Sequence, residues 1–299
     1  MAVTRFSGVV TPVLTPFNDD GSVAEDLYFA HCSAMLAEGS HYLSPFGTTG
    51  EALSLSKQER CDLLEKLVAQ NIARPDQLMP GTGLCSLADT QYMTQHALDI
   101  GCAAVMTLPP FFYPSPSDNG LFRYFSQLVE AIAASNPKIC LYHIPQNTNV
   151  GFSPALAARL NQAFPDVIVA YKDSSGVWDN TVSVIQEASG ISVFPASESS
   201  LVEAIPMGAA GCISATCNVN VAQIRRVYDA LMADNTQALG TELESLDNIR
   251  KSIQTAGLIP ALKSIKAAQT GEKRWLNLRP PLSQADPSVG ESLRKSLEL

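Results

Sequence analysis

The sequence predicts an α/β protein, a (β/α)8 TIM barrel with additional C-terminal helices. Three observations carry that expectation. Eight short apolar runs alternate with eight longer amphipathic stretches. Most units recur about 20–30 residues apart, the spacing of parallel strands joined by crossover helices. The turn after the first strand, Thr11-Pro12-Val13-Leu14-Thr15-Pro16-Phe17, lacks the glycine fingerprint of a dinucleotide-binding open sheet, which is the competing architecture.

The apolar runs fall at residues 8–14, 42–46, 77–80, 103–108, 139–143, 167–171, 192–194 and 211–214. Helix-like segments lie between and after them, at 24–37, 57–72, 87–100, 118–135, 154–164, 178–188, 199–207 and 219–233. Ser56 precedes Lys57-Gln58-Glu59 and Ser153 precedes Pro154, both helix-starting patterns. Gly39, Gly101, Gly190 and Gly208 stand where helices should stop. Residues 1–233 are expected to form the barrel. Residues 234–299 supply two or three further helices packed on it, and the basic stretch 263–279 reads as a solvated helix face.

Composition narrows the function classes. A formal net charge of −9 argues against nucleic acid or an anionic membrane as the main partner. An anionic substrate therefore needs local donors that work against the global field. Charged residues make up only 16% of the chain, below the usual quarter, which implies surface covered by other subunits. No uninterrupted apolar run approaches the roughly 18 residues of a membrane span. The N-terminus shows no secretory signal pattern, and the seven cysteines are odd in number and scattered, with no CxxC pair. Free thiols in a reducing cytosol follow from that usage. His31, His41, His96 and His143 show no metal-ligand spacing, so no metal site is expected.

In a barrel of this kind chemistry sits on the loops that follow the strands, and three motifs fall there. Lys172 ends the apolar run Val167-Ile168-Val169-Ala170-Tyr171 and is followed by Asp173-Ser174-Ser175-Gly176. An ammonium at the mouth of such a strand loses hydration, which favours the neutral amine, a nucleophile that forms Schiff bases with carbonyls. The alternative is a lysine that reaches solvent and pairs with Asp173. Gly47-Thr48-Thr49-Gly50-Glu51 places two hydroxyls and backbone N–H groups between glycines, a neutral donor set for a carboxylate. It also reads as a tight strand–helix turn. Tyr142 in Tyr142-His143-Ile144-Pro145 puts a phenol one strand from Lys172, where it can shuttle protons; the competing reading is a core tyrosine. His143 points the other way on an alternating strand and is expected to pack against a crossover helix.

GTTGE, YHIP and YKDSSG in this order and spacing resemble the dihydrodipicolinate synthase/N-acetylneuraminate lyase superfamily of pyruvate-dependent class I aldolases. The resemblance runs from about Ser7 to the end of the barrel and more loosely beyond. It implies that Lys172 forms an imine with pyruvate or another 2-oxo acid. It further implies that Gly47, Thr48 and Thr49 hold the carboxylate, that Tyr142 relays protons, and that the Ile213 carbonyl lines the pocket. Such chemistry needs no metal or organic cofactor.

Departures from the family pattern narrow the substrate. Asn147 stands two residues after Pro145, where dihydrodipicolinate synthases usually carry an arginine for the semialdehyde carboxylate. An amide cannot replace a bidentate guanidinium there. Ser199 and Ser200 stand where neuraminate lyases carry an acidic pair. The Pro-x-Asn-Thr sequence looks more like the 4-hydroxy-2-oxoglutarate and 2-keto-3-deoxy-sugar-acid aldolases. Family members take a second relay tyrosine from a neighbouring subunit; the ungapped match puts Phe112 there, with Tyr113 next. The expectation is a cytosolic, homodimeric or homotetrameric lyase that joins or releases pyruvate and an aldehyde. The alternatives are a dihydrodipicolinate synthase-like enzyme, a dehydratase or hydratase-aldolase using the same imine, and a non-catalytic 2-oxo-acid binder.

Overall fold

The computed structural model describes residues 6–236 and 239–299. In chain order the elements are β1 (Gly8–Thr11), α1 (Glu25–Ala37), β2 (Tyr42–Leu43), α2 (Lys57–Ala69), α3 (Leu87–Ile100), β3 (Val105–Thr107), α4 (Asp118–Ile132) and β4 (Ile139–His143). There follow α5 (Pro145–Thr148), α6 (Pro154–Ala163), β5 (Ile168–Asp173), α7 (Trp178–Glu187), β6 (Ser192–Pro195), α8 (Leu201–Met207) and β7 (Gly211–Ile213). Helices α9 (Cys217–Met232), α10 (Gly240–Thr255), α11 (Leu258–Thr270) and α12 (Pro287–Ser296) close the chain.

Local chemistry explains the boundaries. Ser56 and Glu59 cap α2 reciprocally, the Ser56 hydroxyl accepting from the Glu59 N–H at 3.2 Å and the Glu59 carboxylate from the Ser56 N–H at 2.8 Å. Ser153 caps α6, with Pro154 at the first helical position. Gly101 (φ 89°) and Gly208 (φ 105°) stop α3 and α8 in the left-handed region.

The chain forms two compact units. The first is Arg74–Ile213 with residues 6–8. Its sheet is parallel throughout, in the order β3-β4-β5-β6. The Ala210 N–H donates to the Val193 carbonyl at 2.8 Å, and the Gly8 N–H donates to the Ala210 carbonyl at 2.8 Å. A Cβ on Gly211 would lie 1.9 Å from the Gly8 carbonyl oxygen, so only glycine fits where the two backbones meet. Helix α4 buries Leu121, Phe125, Leu128, Val129 and Ile132, an apolar stripe at helical spacing.

One predicted strand did not form as a ladder. Residues 75–77 make a 3-10 turn, and the segment after it meets β3 only through an isolated parallel bridge, Gly81 to Met106. The Met106 N–H donates to the Pro80 carbonyl at 2.8 Å and the Thr82 N–H to the Met106 carbonyl at 3.0 Å, but Pro80 has no N–H of its own with which to extend the ladder. Strand β5, by contrast, runs through Lys172 to Asp173, two residues beyond the apolar run.

The second unit is Val9–Ala73 with Ser214–Leu299. In it β1 pairs in parallel with β2, Val10 opposite Tyr42 and Thr11 opposite Leu43. Leu14, Val219, Ile249, Ile253, Leu262 and Trp275 share one apolar cluster, so α9, α10 and α11 are bound into a single core. The expectation of a solvated face over 263–279 is corrected here, because the Lys263 side chain is fully buried. Among the described residues the seven cysteines are free, and all but Cys85 are buried. No helix among them is long and apolar enough to cross a membrane, and no cluster of His, Cys, Asp and Glu could hold a metal ion.

Candidate active site

In the first unit, parallel register sets Tyr142 opposite Lys172 and Lys172 opposite Phe194. Residues opposite one another in a ladder share a face, and the result is direct: the Lys172 ammonium lies 4.1 Å from the centroid of the Tyr142 ring. Lys172 is only 3% exposed. Its side chain forms no ion pair or hydrogen bond with the described residues.

Asp173, its neighbour in sequence, is not its partner. One Asp173 oxygen accepts from the Ser175 N–H at 2.9 Å and the Ser175 hydroxyl at 2.7 Å. The other accepts from the Asn180 amide and the Thr181 hydroxyl, each at 2.8 Å. Strand alternation sends the two side chains to opposite faces, and four neutral donors saturate the carboxylate. The pairing of Lys172 with Asp173 considered from the sequence does not occur.

Tyr171 and His143 lie on the outer face, as alternation requires. Their rings stack at 5.7 Å, the Tyr171 hydroxyl donates to the Phe152 carbonyl at 3.2 Å, and His143 Nδ1 accepts from the Phe152 N–H at 3.0 Å. Burial holds the His143 imidazole below its ordinary range. A Cβ on Gly151 would lie 2.6 Å from His143 Cε1, so glycine is required beside the ring. His143 therefore packs toward the chain entering α6, away from the Lys172 face.

Ile213 is the last residue of β7 and is buried. Asn147 lies on α5, exposed, while Gln146 beside it donates to the Ser174 carbonyl at 2.6 Å and ties α5 to the loop after β5. Phe112 and Tyr113 are 84% and 77% exposed, their rings in edge contact at 5.7 Å. Phe112 has φ of 111°, a region that bulky residues adopt only when something holds them there.

In the second unit, the turn after β2 holds Gly47, Thr48 and Thr49. The Gly50 and Ala52 N–H groups donate to the Gly47 carbonyl at 3.1 and 3.2 Å, and the Glu51 N–H to the Thr48 carbonyl at 3.1 Å. Thr49 is buried, yet its hydroxyl and N–H make no hydrogen bond with the described residues. A Cβ on Gly50 would lie 2.6 Å from the Val13 carbonyl oxygen, so the turn closes only with glycine there. Phe46 (φ 60°) and Glu51 (φ 53°) flank it in the left-handed region, a strain of about 1–3 kcal/mol each.

Sequence reasoning missed what holds Glu51. Its carboxylate is fully buried and forms an ion pair with the equally buried Lys263 of α11. Its second oxygen accepts from the Arg279 N–H at 3.1 Å. Burial draws the Lys263 ammonium down to about 8, against the pull of Glu51.

The sequence model of the dihydrodipicolinate synthetase family matches residues 5–299. The chain belongs to that family. An uncharacterized DapA-like lyase of Chloroflexus aurantiacus is 30% identical over 293 residues, 97% of this chain and 96% of that one. The 4-hydroxy-tetrahydrodipicolinate synthase of Rhizobium meliloti is 30% identical over 296 residues, 98% and 97% of the two chains. The crystal structure of dihydrodipicolinate synthase from Agrobacterium tumefaciens superposes with a TM-score of 0.89 at 29% identity, covering 97% of this chain and 98% of that one. The family member described here is thus of the (β/α)8 fold class with additional C-terminal helices, and it belongs among lyases of the aldolase type.

Proposed function

We propose that this family member is a lysine-imine aldolase joining pyruvate to, or releasing it from, an aldehyde other than aspartate semialdehyde, with a 4-hydroxy-2-oxo acid or a 2-keto-3-deoxy sugar acid as the joined compound. The observation that carries the reading is Lys172 itself: buried, without a counter-ion, and set against the face of Tyr142 on the neighbouring strand. The Lys172 amine adds to the pyruvate carbonyl and expels water, giving a protonated imine. Loss of a methyl proton gives the enamine, whose carbon attacks the aldehyde; addition of water then frees the product and the amine. Tyr142 moves protons as the carbinolamine forms and collapses. Gly47, Thr48 and Thr49 supply neutral donors for the carboxylate, and Ile213 supplies a carbonyl. No metal or organic cofactor enters this sequence, because the imine nitrogen is the electron sink.

Borohydride in the presence of pyruvate tests this reading. One reduced pyruvate per chain, mapped to the peptide carrying Lys172, is the expected result. An adduct confined to another lysine, or none, refutes it.

A second reading, condensation with aspartate semialdehyde, is favoured by the names of the relatives. Asn147 speaks against it, since nothing at that position can form the bidentate bonds of an arginine. Hydroxylated aldehydes and glyoxylate are expected to turn over at least about tenfold faster than aspartate semialdehyde, which is the worth of one charge-assisted bond. Efficient dihydrodipicolinate formation by the unaltered protein, followed by product analysis, contradicts the assignment.

The exposed Phe112–Tyr113 pair points to a second copy of the chain as partner, because contiguous aromatic surface is rarely left in water. The proposed assembly is at least a dimer. Phe112→Asp is expected to shift it toward monomer in sedimentation and to lower activity in parallel, since a carboxylate there would be buried without a partner. An unaltered protein that sediments as a fully active monomer at assay concentration excludes the arrangement.

A further inference from the structure

The Lys263–Glu51 pair is the feature of the molecule that the proposed chemistry leaves unused. Both side chains have no solvent exposure. Replacing such a pair with apolar groups often costs nothing in stability, so stability alone does not account for it. What the pair does have is location. Glu51 is the last residue of the turn that begins at Gly47, and its left-handed backbone directs the carboxylate toward α11.

The C-terminal segment grips this turn at two points. Lys263 holds the Glu51 carboxylate and also donates to the Asn277 carbonyl at 2.8 Å, so α11 and the 3-10 turn that follows it (Lys273–Leu276) are locked together around Glu51. Arg279 gives its N–H to the other Glu51 oxygen at 3.1 Å and its guanidinium to the Ser54 carbonyl at 2.8 Å and to Glu59. The Phe17 ring lies 4.4 Å from the Lys263 ammonium and 4.7 Å from the Arg279 guanidinium, closing the site on the remaining side. The Gly50 carbonyl accepts from the Thr15 hydroxyl at 2.8 Å, and Thr49 makes no hydrogen bond with the other described residues.

We infer that Lys263 and Glu51 are positioning residues, through which the C-terminal segment sets the aim of the Thr48 and Thr49 donors and hence the affinity for the substrate carboxylate. The inference rests on the carboxylate-binding role proposed above for this turn. Coupling of this kind is reciprocal: a carboxylate that settles the turn must also settle the segment holding it.

The experiment uses the full chain and pyruvate as probe. Glu51→Gln keeps the shape and the acceptor while removing the charge, and Lys263→Met removes the other half of the pair. Half-saturation of borohydride trapping is measured against pyruvate concentration, with the melting temperature recorded alongside. The expected result is a rise of about tenfold in the half-saturating concentration, with one adduct per chain still reached at saturation; small misplacements of binding groups carry effects of this size. A folded Glu51→Gln protein whose half-saturation stays within twofold of the unaltered chain overturns the inference, whatever its melting temperature. If both variants fail to fold, hydrogen exchange in the unaltered protein decides: pyruvate should slow exchange at residues 272–279 as well as at 47–54. Protection confined to 47–54 overturns the inference. Absence of any Lys172 adduct in the unaltered protein refutes the proposed function itself, a separate result from failure of the coupling.

Discussion

Lys172→Met is expected to abolish turnover, by on the order of 10³-fold or more, while the protein melts within a few degrees of the unaltered chain. The two halves of this expectation have different origins. The loss follows because Lys172 is the proposed imine-forming group, and Lys263, the other buried lysine among the described residues, is engaged by Glu51. The retained fold follows because the Lys172 ammonium has no ion pair to lose among the described residues, and methionine fills a similar volume against Tyr142 and Phe194. Turnover with pyruvate and an aldehyde panel, read beside a thermal melt, checks both. A folded Lys172→Met protein with undiminished turnover removes the imine mechanism.

Tyr142→Phe should cost about 10²–10³-fold in turnover, the usual worth of a positioned proton donor and acceptor. The aromatic face beneath the Lys172 ammonium is kept by phenylalanine, so the cation's environment and the β4–β5 ladder should survive. Borohydride should then still capture pyruvate on Lys172 to one equivalent, only more slowly, since water attacks and leaves the carbinolamine without help. Turnover equal to that of the unaltered protein would make Tyr142 a core residue with no part in proton transfer.

Much of this arrangement was legible in the sequence, for reasons that can be traced to particular residues. Runs such as 139–143 and 167–171 are apolar on both faces because their strands are buried on both faces, and β4 and β5 formed where the runs lie. The run at 77–80 has the same apolar character, but Pro80 removes the N–H a ladder needs. Composition alone does not register that loss. The adjacency of Lys172 and Tyr142 was legible because each stands out against an apolar strand and a parallel register places them side by side. Lys263 was misread because a basic residue on an amphipathic helix carries no mark of burial. Its counter-ion lies 212 positions earlier in the chain, out of reach of any local pattern. The left-handed backbone of Phe46 and Glu51 was equally hidden, since neither is a residue type that favours it.

The saturated carboxylate of Asp173 bears on anyone who would graft this chemistry elsewhere. A lysine followed by an aspartate would ordinarily tend to neutralise itself, and copying the dipeptide onto another scaffold would copy that hazard. Here Ser175, Asn180 and Thr181 occupy every lone pair facing them, so the negative charge is sequestered on the far side of the strand. The minimal portable unit is therefore the strand, its following loop and the first turn of α7 together. A transplant that carries Lys172 and Asp173 without Asn180 and Thr181 would deliver a lysine beside a carboxylate free to pair with its ammonium and hold it protonated, which is the unreactive form.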